Sequence, residues 1–178
     1  MLEPWQIGNV PGPKQANAIT DPAVVIAMVE RARRPLLLIG HQIIGVKIDG
    51  TTLTTMIIEA AKKGASIIAT AHTIKEFAIS GPENVSWMGI VEITDRLADP
   101  EWMGADGKGK YDVVLFLGVP YYLESQMLST LKHFAPQLKT ISLERFYQPN
   151  ADWSFPNIKE DEWRRHITLI AKNLGGKA

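Results

Sequence analysis

Short unbroken apolar runs alternate along the chain with longer stretches in which apolar residues recur every three or four positions. KTISL (139–143) is a short strand-like segment, and the runs PLLLIG (35–40), SIIAT (66–70) and DVVLFLG (112–118) carry no polar alternate. That is the pattern of parallel strands covered on both faces. Helical stripes separate them. The first runs through Val24, Val25, Met28, Val29 and Ala32. Asp21 supplies its N-cap, Pro22 its first helical position, and Pro35 stops it. Leu53, Met56, Ile57 and Ala60 form the second, closed by Lys62-Lys63-Gly64. A third passes through Ile90, Ile93 and Leu97, and a fourth through Leu123, Met127, Leu131 and Phe134. The last, about Glu160 to Leu174, turns Trp163, Ile167, Ile170 and Leu174 inward. This alternation predicts one α/β domain over 21–178, doubly wound around a mainly parallel sheet with right-handed crossovers. Residues 1–20, rich in Pro, Gly and Asn, read as an extended N-terminal arm carrying Trp5. GADGKGK (104–110) reads as a mobile polar loop before the third strand.

Composition narrows the chemistry. The 178 residues suffice for one domain with its own core. Nineteen basic residues balance nineteen acidic ones, so nothing favours a polyanion or a membrane surface as partner. There is no cysteine. That excludes disulfides, thiolate-held zinc, a cysteine nucleophile and iron–sulfur clusters on their usual ligands. His41, His72, His133 and His166 are widely spaced and point to no metal site. The N-terminal MLEPWQIGNVPGP has neither a basic start nor an apolar core, and no apolar run approaches the ~20 residues of a bilayer span. The expected location is the cytoplasm.

The candidate site lies in the turns that follow the apolar runs, because open α/β sheets bind ligands beyond the carboxyl ends of their strands. Gly40, His41, Gln42 and Gly45 follow the first strand, Thr70 and His72 the second, and Gly118, Pro120 and Tyr121 the third. These residues would line one groove wide enough for an adenosine nucleotide. GHQIIG lacks the middle glycine of a dinucleotide fingerprint. GHQIIGVK is no P-loop either, since Val46 stands in the lysine position and Lys47 comes one residue late. Two readings of this turn stay open: a loop shaped over a nucleotide, or a plain strand-to-helix turn needing positive φ at Gly40. Glu144, after the last strand, is placed to meet a ribose hydroxyl or to be a solvated loop acid. No GxSxG, HExxH or paired-carboxylate signature is present.

RRPLLLIG, preceded by a helix and followed by the glycine-shaped loop, resembles the central domain of thiamine-diphosphate-dependent enzymes, a Rossmann-like, deoxyhypusine-synthase-like NAD/FAD-binding fold. PWQIGNVPGPKQANAI (4–19) joined to ARRPLLLIG (32–40) resembles, more specifically, the epsilon subunits of the archaeal acetyl-CoA decarbonylase/synthase complex. DVVLFLGVPYYLESQMLSTLK and NADWSFPN extend the likeness over nearly the whole chain. The resemblance implies an accessory subunit that stabilises an alpha2-epsilon2 carbon monoxide dehydrogenase component. In that component the nickel–iron–sulfur chemistry belongs to the alpha subunit. It also implies assistance to electron transfer to FAD, and a homodimer would suit the assembly. Trp5, Trp153 and Phe155 are read either as aromatic anchors for a partner or as side chains packed on the domain itself, capping the ends of its core. The alternative is a stand-alone FAD- or NAD-binding enzyme of the same fold, drawing on His41, His72, Thr70 and Glu144. A sirtuin-like deacylase is disfavoured because its zinc site usually needs cysteines.

Overall fold

The computed structural model describes residues 14–70, 73–80 and 85–175. Its centre is a sheet of parallel strands. β2 (Pro35–Ile39) pairs on one side with β7 (Val113–Leu117) and on the other with β5 (Ser66–Ala69). β6 (Val85–Trp87) continues beyond β5. β8 (Lys139–Ser142), β9 (Trp153–Ser154) and β1 (Asn17–Ala18) continue beyond β7, giving the order β1-β9-β8-β7-β2-β5-β6. The chain thus builds outward from β2 in one direction, then returns to β7 and builds in the other. The point of reversal lies between β2 and β7. An antiparallel hairpin, β3 (Lys47–Ile48) with β4 (Thr51–Thr52), stands apart from the sheet.

The apolar runs serve two cores because neighbouring side chains on a strand point to opposite faces. Leu37, Ile39, Ile67, Leu115 and Leu117 face one core, with α1 (Pro22–Arg31), α2 (Leu53–Lys62) and α6 (Glu160–Asn173). Leu36, Leu38, Ile68, Val114 and Phe116 face the other, with α4 (Ile90–Ala98) and α5 (Tyr121–Phe134). The doubly wound α/β architecture read from the sequence is therefore the observed one. Asp21 caps α1 as expected, accepting from the Ala23 N–H at 2.8 Å.

Several local expectations need correction. The sequence pattern predicts neither α3 (Ile74–Ser80) nor β6, both of them short. Phe134 is exposed, because the buried stripe of α5 continues from Leu131 to Ala135, one full turn on. Phe155 is fully buried in the first core, so it cannot serve as a surface anchor; Trp153 is half-buried beside that core. The 104–110 loop is tied down rather than loose. Arg34 donates to Gly109 O and Asp106 Oδ1, both at 2.6 Å, and its guanidinium lies 5.0 Å from the Tyr111 ring centre. Trp5 lies outside the described residues.

Candidate functional site

The turns after β2 and β7 meet at the point of reversal. Gly40 N–H donates to Leu117 O at 2.8 Å, and Gln42 N–H donates to Gly118 O at 2.9 Å. Gly40 itself is extended, at φ −95°, so the positive φ expected there is absent. Glycine is required for another reason: a Cβ at 40 would overlap the Gly118 carbonyl. Gly118 does hold the left-handed region, at φ 78°. A Cβ there would come within 2.5 Å of Ile43 Cγ2 and 2.8 Å of Gly40 O. Ile43, 1% exposed on the single 3-10 turn His41–Ile43, therefore fills the crevice between the two strand ends. Gly45 lies at φ 77° with open space around it, a purely conformational requirement.

No helix begins at Gly45. The β3–β4 hairpin intervenes, and α2 opens at Leu53 under its own cap, Thr52 Oγ1 accepting from Thr55 N–H at 3.2 Å. The remaining expected residues lie as follows. His41 and Gln42 are exposed on the 3-10 turn. Thr70 is half-buried and donates its N–H to Ile39 O at 2.9 Å. Pro120 is the N-cap of α5. Tyr121 donates its hydroxyl to Tyr147 O at 3.1 Å. His72 lies outside the described residues. The structure thus joins Gly40, Gln42 and Gly118 directly, sets Thr70 on the neighbouring strand end, and turns Tyr121 toward the segment after β8.

That segment brings together Glu144, which the sequence singles out, with Glu124 and Gln148, which it does not. Gly118 N–H donates to Glu144 Oε1. Beneath it Glu124, on the first turn of α5, is fully buried, and Gln148 Nε2 donates to its Oε2 at 3.3 Å and to Tyr121 O at 2.9 Å. Burial raises the Glu144 carboxyl to about 7, against the lowering effect of the Gly118 N–H. Burial, then the charge of Glu144, pushes Glu124 well above the usual carboxylate range, while Ser142 and Gln148 pull the other way. Two carboxyl groups from separate elements therefore converge behind one glycine turn. Glu124 has no sequence signature beyond being a polar residue on a helix of ordinary pattern. Only Glu144 was legible, from its place after the last strand.

A pyrophosphate cradle does not fit at this turn. The N–H groups of Gly40, Gln42 and Gly118 are all spent on internal acceptors, the last on a carboxylate that already occupies the anion's place. The edge instead presents apolar side chains. Among the described residues eight large hydrophobics are exposed, and Ile44, Trp87, Val91, Tyr122 and Phe146 are five of them. Each follows the carboxyl end of a strand: Ile44 after β2, Trp87 and Val91 at and after the end of β6, Tyr122 after β7, Phe146 after β8. Trp87 and Tyr122 are 68% and 70% exposed. Also among the described residues, no cluster of three or more His, Asp or Glu side chains is placed to hold a metal, and no helix is long and apolar enough to cross a membrane.

Residues 2–171 match a family described as CO dehydrogenase beta subunit/acetyl-CoA synthase epsilon subunit. The chain is 42% identical over 164 residues to the acetyl-CoA decarbonylase/synthase complex subunit epsilon of Methanothermobacter thermautotrophicus, covering 92% of this chain and 91% of that one. It is 40% identical to the subunit of the same name from Methanothrix soehngenii, over 87% of this chain and 81% of that one. With subunit epsilon 1 of Archaeoglobus fulgidus the identity is 41%, over 88% and 83%. Among solved structures, a trehalose-6-phosphate phosphatase of Aspergillus fumigatus superposes with a TM-score of 0.50 at 12% identity, over 88% of this chain and 99% of that one. That likeness is one of fold alone.

Proposed function

The chain belongs to the CO dehydrogenase beta subunit/acetyl-CoA synthase epsilon subunit family, and on that premise we propose that it is an accessory, non-catalytic epsilon subunit of an acetyl-CoA decarbonylase/synthase complex. In this reading it stabilises a carbon monoxide dehydrogenase component of two alpha and two epsilon subunits. The nickel–iron–sulfur chemistry resides in alpha, since a chain without cysteine offers no thiolate to a cluster. The observation that carries the reading is the gathering of exposed apolar side chains at the carboxyl edge of the sheet, Trp87 and Tyr122 foremost. Aromatic anchors of this kind dominate interface energetics. Exposed aromatic surface on a compact α/β domain is more economically explained by a protein partner than by solvent.

The test is co-purification. A tagged copy of this chain should carry a large subunit out of native extract, together with nickel and iron detectable by metal analysis. A chain recovered alone, free of metal, would count against it.

FAD is a second reading, favoured by the position of the edge at the point of strand reversal. Because Ile43 and Glu144 close the Gly40–Gly118 turn, FAD binding requires the His41–Ile43 turn to lift from Gly118. Titration with FAD, NAD and ADP separates the readings. Micromolar binding by FAD supports the flavin, and silence at millimolar ligand removes it.

A further inference from the structure

We infer that Glu124 is a neutral carboxylic acid whose proton sits on Oε1 and is donated to the side-chain carbonyl of Gln148, so that the carboxyl edge of the sheet stores one proton beneath the Gly118 turn. Glu124 and Gln148 are both fully buried. Glu124 Oε2 accepts from Gln148 Nε2, while Glu124 Oε1 has no partner. Gln148 Oε1 has none either. The amide cannot be turned round to help, because Nε2 also donates to Tyr121 O, and an oxygen placed there would face another oxygen. The Ser142 side chain also hydrogen-bonds this carboxyl, yet the two facing oxygens, Glu124 Oε1 and Gln148 Oε1, stay without a donor between them. A single proton on Glu124 supplies that donor and removes the buried charge at the same time. Acid and amide then each give the other one hydrogen bond and take one, while the second amide N–H stays on Tyr121 O.

The surroundings agree. The only charge acting on Glu124 among the described residues is that of Glu144, which opposes its ionisation. Glu92, Asp95 and Arg96 of α4, the helix packed on α5, are exposed, and Glu92 pairs with Arg96 at 3.0 Å. The phenols of Tyr121 and Tyr147 are spent on Tyr147 O and Ala16 O. Arg145 stacks over Phe146, 4.4 Å from the ring centre. Asp152 is held by Thr140 N–H and Oγ1. No cation among the described residues acts on Glu124. The Gly118 turn thus rests on one neutral acid and one anion rather than two anions. Any rearrangement that hydrates the first turn of α5 returns Glu124 to its ordinary acidity and releases a proton at neutral pH.

Infrared spectroscopy of the full chain at about pH 8.5 tests it, because Glu144 and exposed carboxyls are ionised there. The expected spectrum contains the carbonyl band of one protonated carboxylic acid, and that band is absent from Glu124→Gln. Glu124→Gln should also fold with a thermal midpoint no lower than wild type at that pH, because its amide reproduces both hydrogen bonds without needing a proton. A wild-type spectrum without the band overturns the inference, as does a lower midpoint for Glu124→Gln. If the band is missing and added sodium, potassium or calcium raises the wild-type midpoint, the pair holds a cation instead, which also overturns it.

Discussion

The three glycines of the central turns do different work, and the difference is measurable. Gly118 combines a left-handed φ with contact on Ile43 and Gly40, whereas Gly45 has the φ and empty space. Gly118→Ala should cost about 2–4 kcal/mol, from backbone strain plus overpacking, and Gly45→Ala only about 1 kcal/mol. Urea unfolding with an unchanged denaturant slope checks both. The sequence marked Gly40 and Gly118 as special, yet of the two readings it offered for Gly40 the one needing a positive φ is not what the structure shows. Close approach of two backbones leaves no trace in a single sequence, because both partners read simply as glycine after a strand. Glu144 gives a pH signature at the same scale. Its carboxyl is raised to about 7 in the folded chain, so the folded state binds that proton more tightly than the unfolded state does. The resulting stability is fully present below about pH 4.5 and is lost as pH rises toward about 7, with a limiting slope of about 1.4 kcal/mol per pH unit. Glu144→Gln should remove that contribution and leave the parallel one of Glu124, which stays protonated over the same range, measured as urea midpoints between about pH 4.5 and pH 7.5.

At the scale of elements, legibility followed length and burial. The core strands are continuous apolar runs because helices cover both their faces, and the long helices carry full stripes of three or four turns. Those elements were readable. β6 is a three-residue edge strand and β9 a two-residue strand between β1 and β8, both too short for any period to emerge. The β3–β4 hairpin hides inside GVKIDGTT, where Asp49, at φ 48°, and Gly50, at φ 81°, make the turn. The site suffered most from this, since Glu124 lies on a helix and Gln148 in a loop and neither position advertises the other. Two elements offer direct tests of what holds them. Asp21→Ala removes the α1 cap and should cost about 1 kcal/mol. Trp163 Nε1 on α6 donates to Leu143 O at 2.7 Å, joining that helix to the segment after β8. Trp163→Phe keeps most of the apolar contact but strands a buried carbonyl, a loss of about 1–3 kcal/mol in thermal or urea unfolding.

For the molecule as a whole, the winding order sets what can face a partner. Building outward from β2 and then back through β7 leaves the strand ends and their following turns on one edge. There the chain's own Ile43 and Glu144 fill the position where a nucleotide phosphate sits in related architectures, and aromatic side chains stand outside. An edge of that kind suits contact with another protein. The family membership was legible because the N-terminal segment and several strand–helix joins are distinctive together, over residues 2–171. The proposed docking surface was not, because exposure of Trp87 and burial of Phe155 are decided by tertiary packing.

The most direct test is the association of this chain with the large alpha subunit, compared between wild type and the double variant Trp87→Asp/Tyr122→Asp. Both substituted side chains are exposed, so the variant should fold with a thermal midpoint close to wild type. Wild type should co-elute with alpha, nickel and iron, and the variant should lose at least ~30-fold in affinity. Co-elution of the folded variant at wild-type affinity, or a wild-type chain that elutes alone in the presence of alpha, would contradict the account.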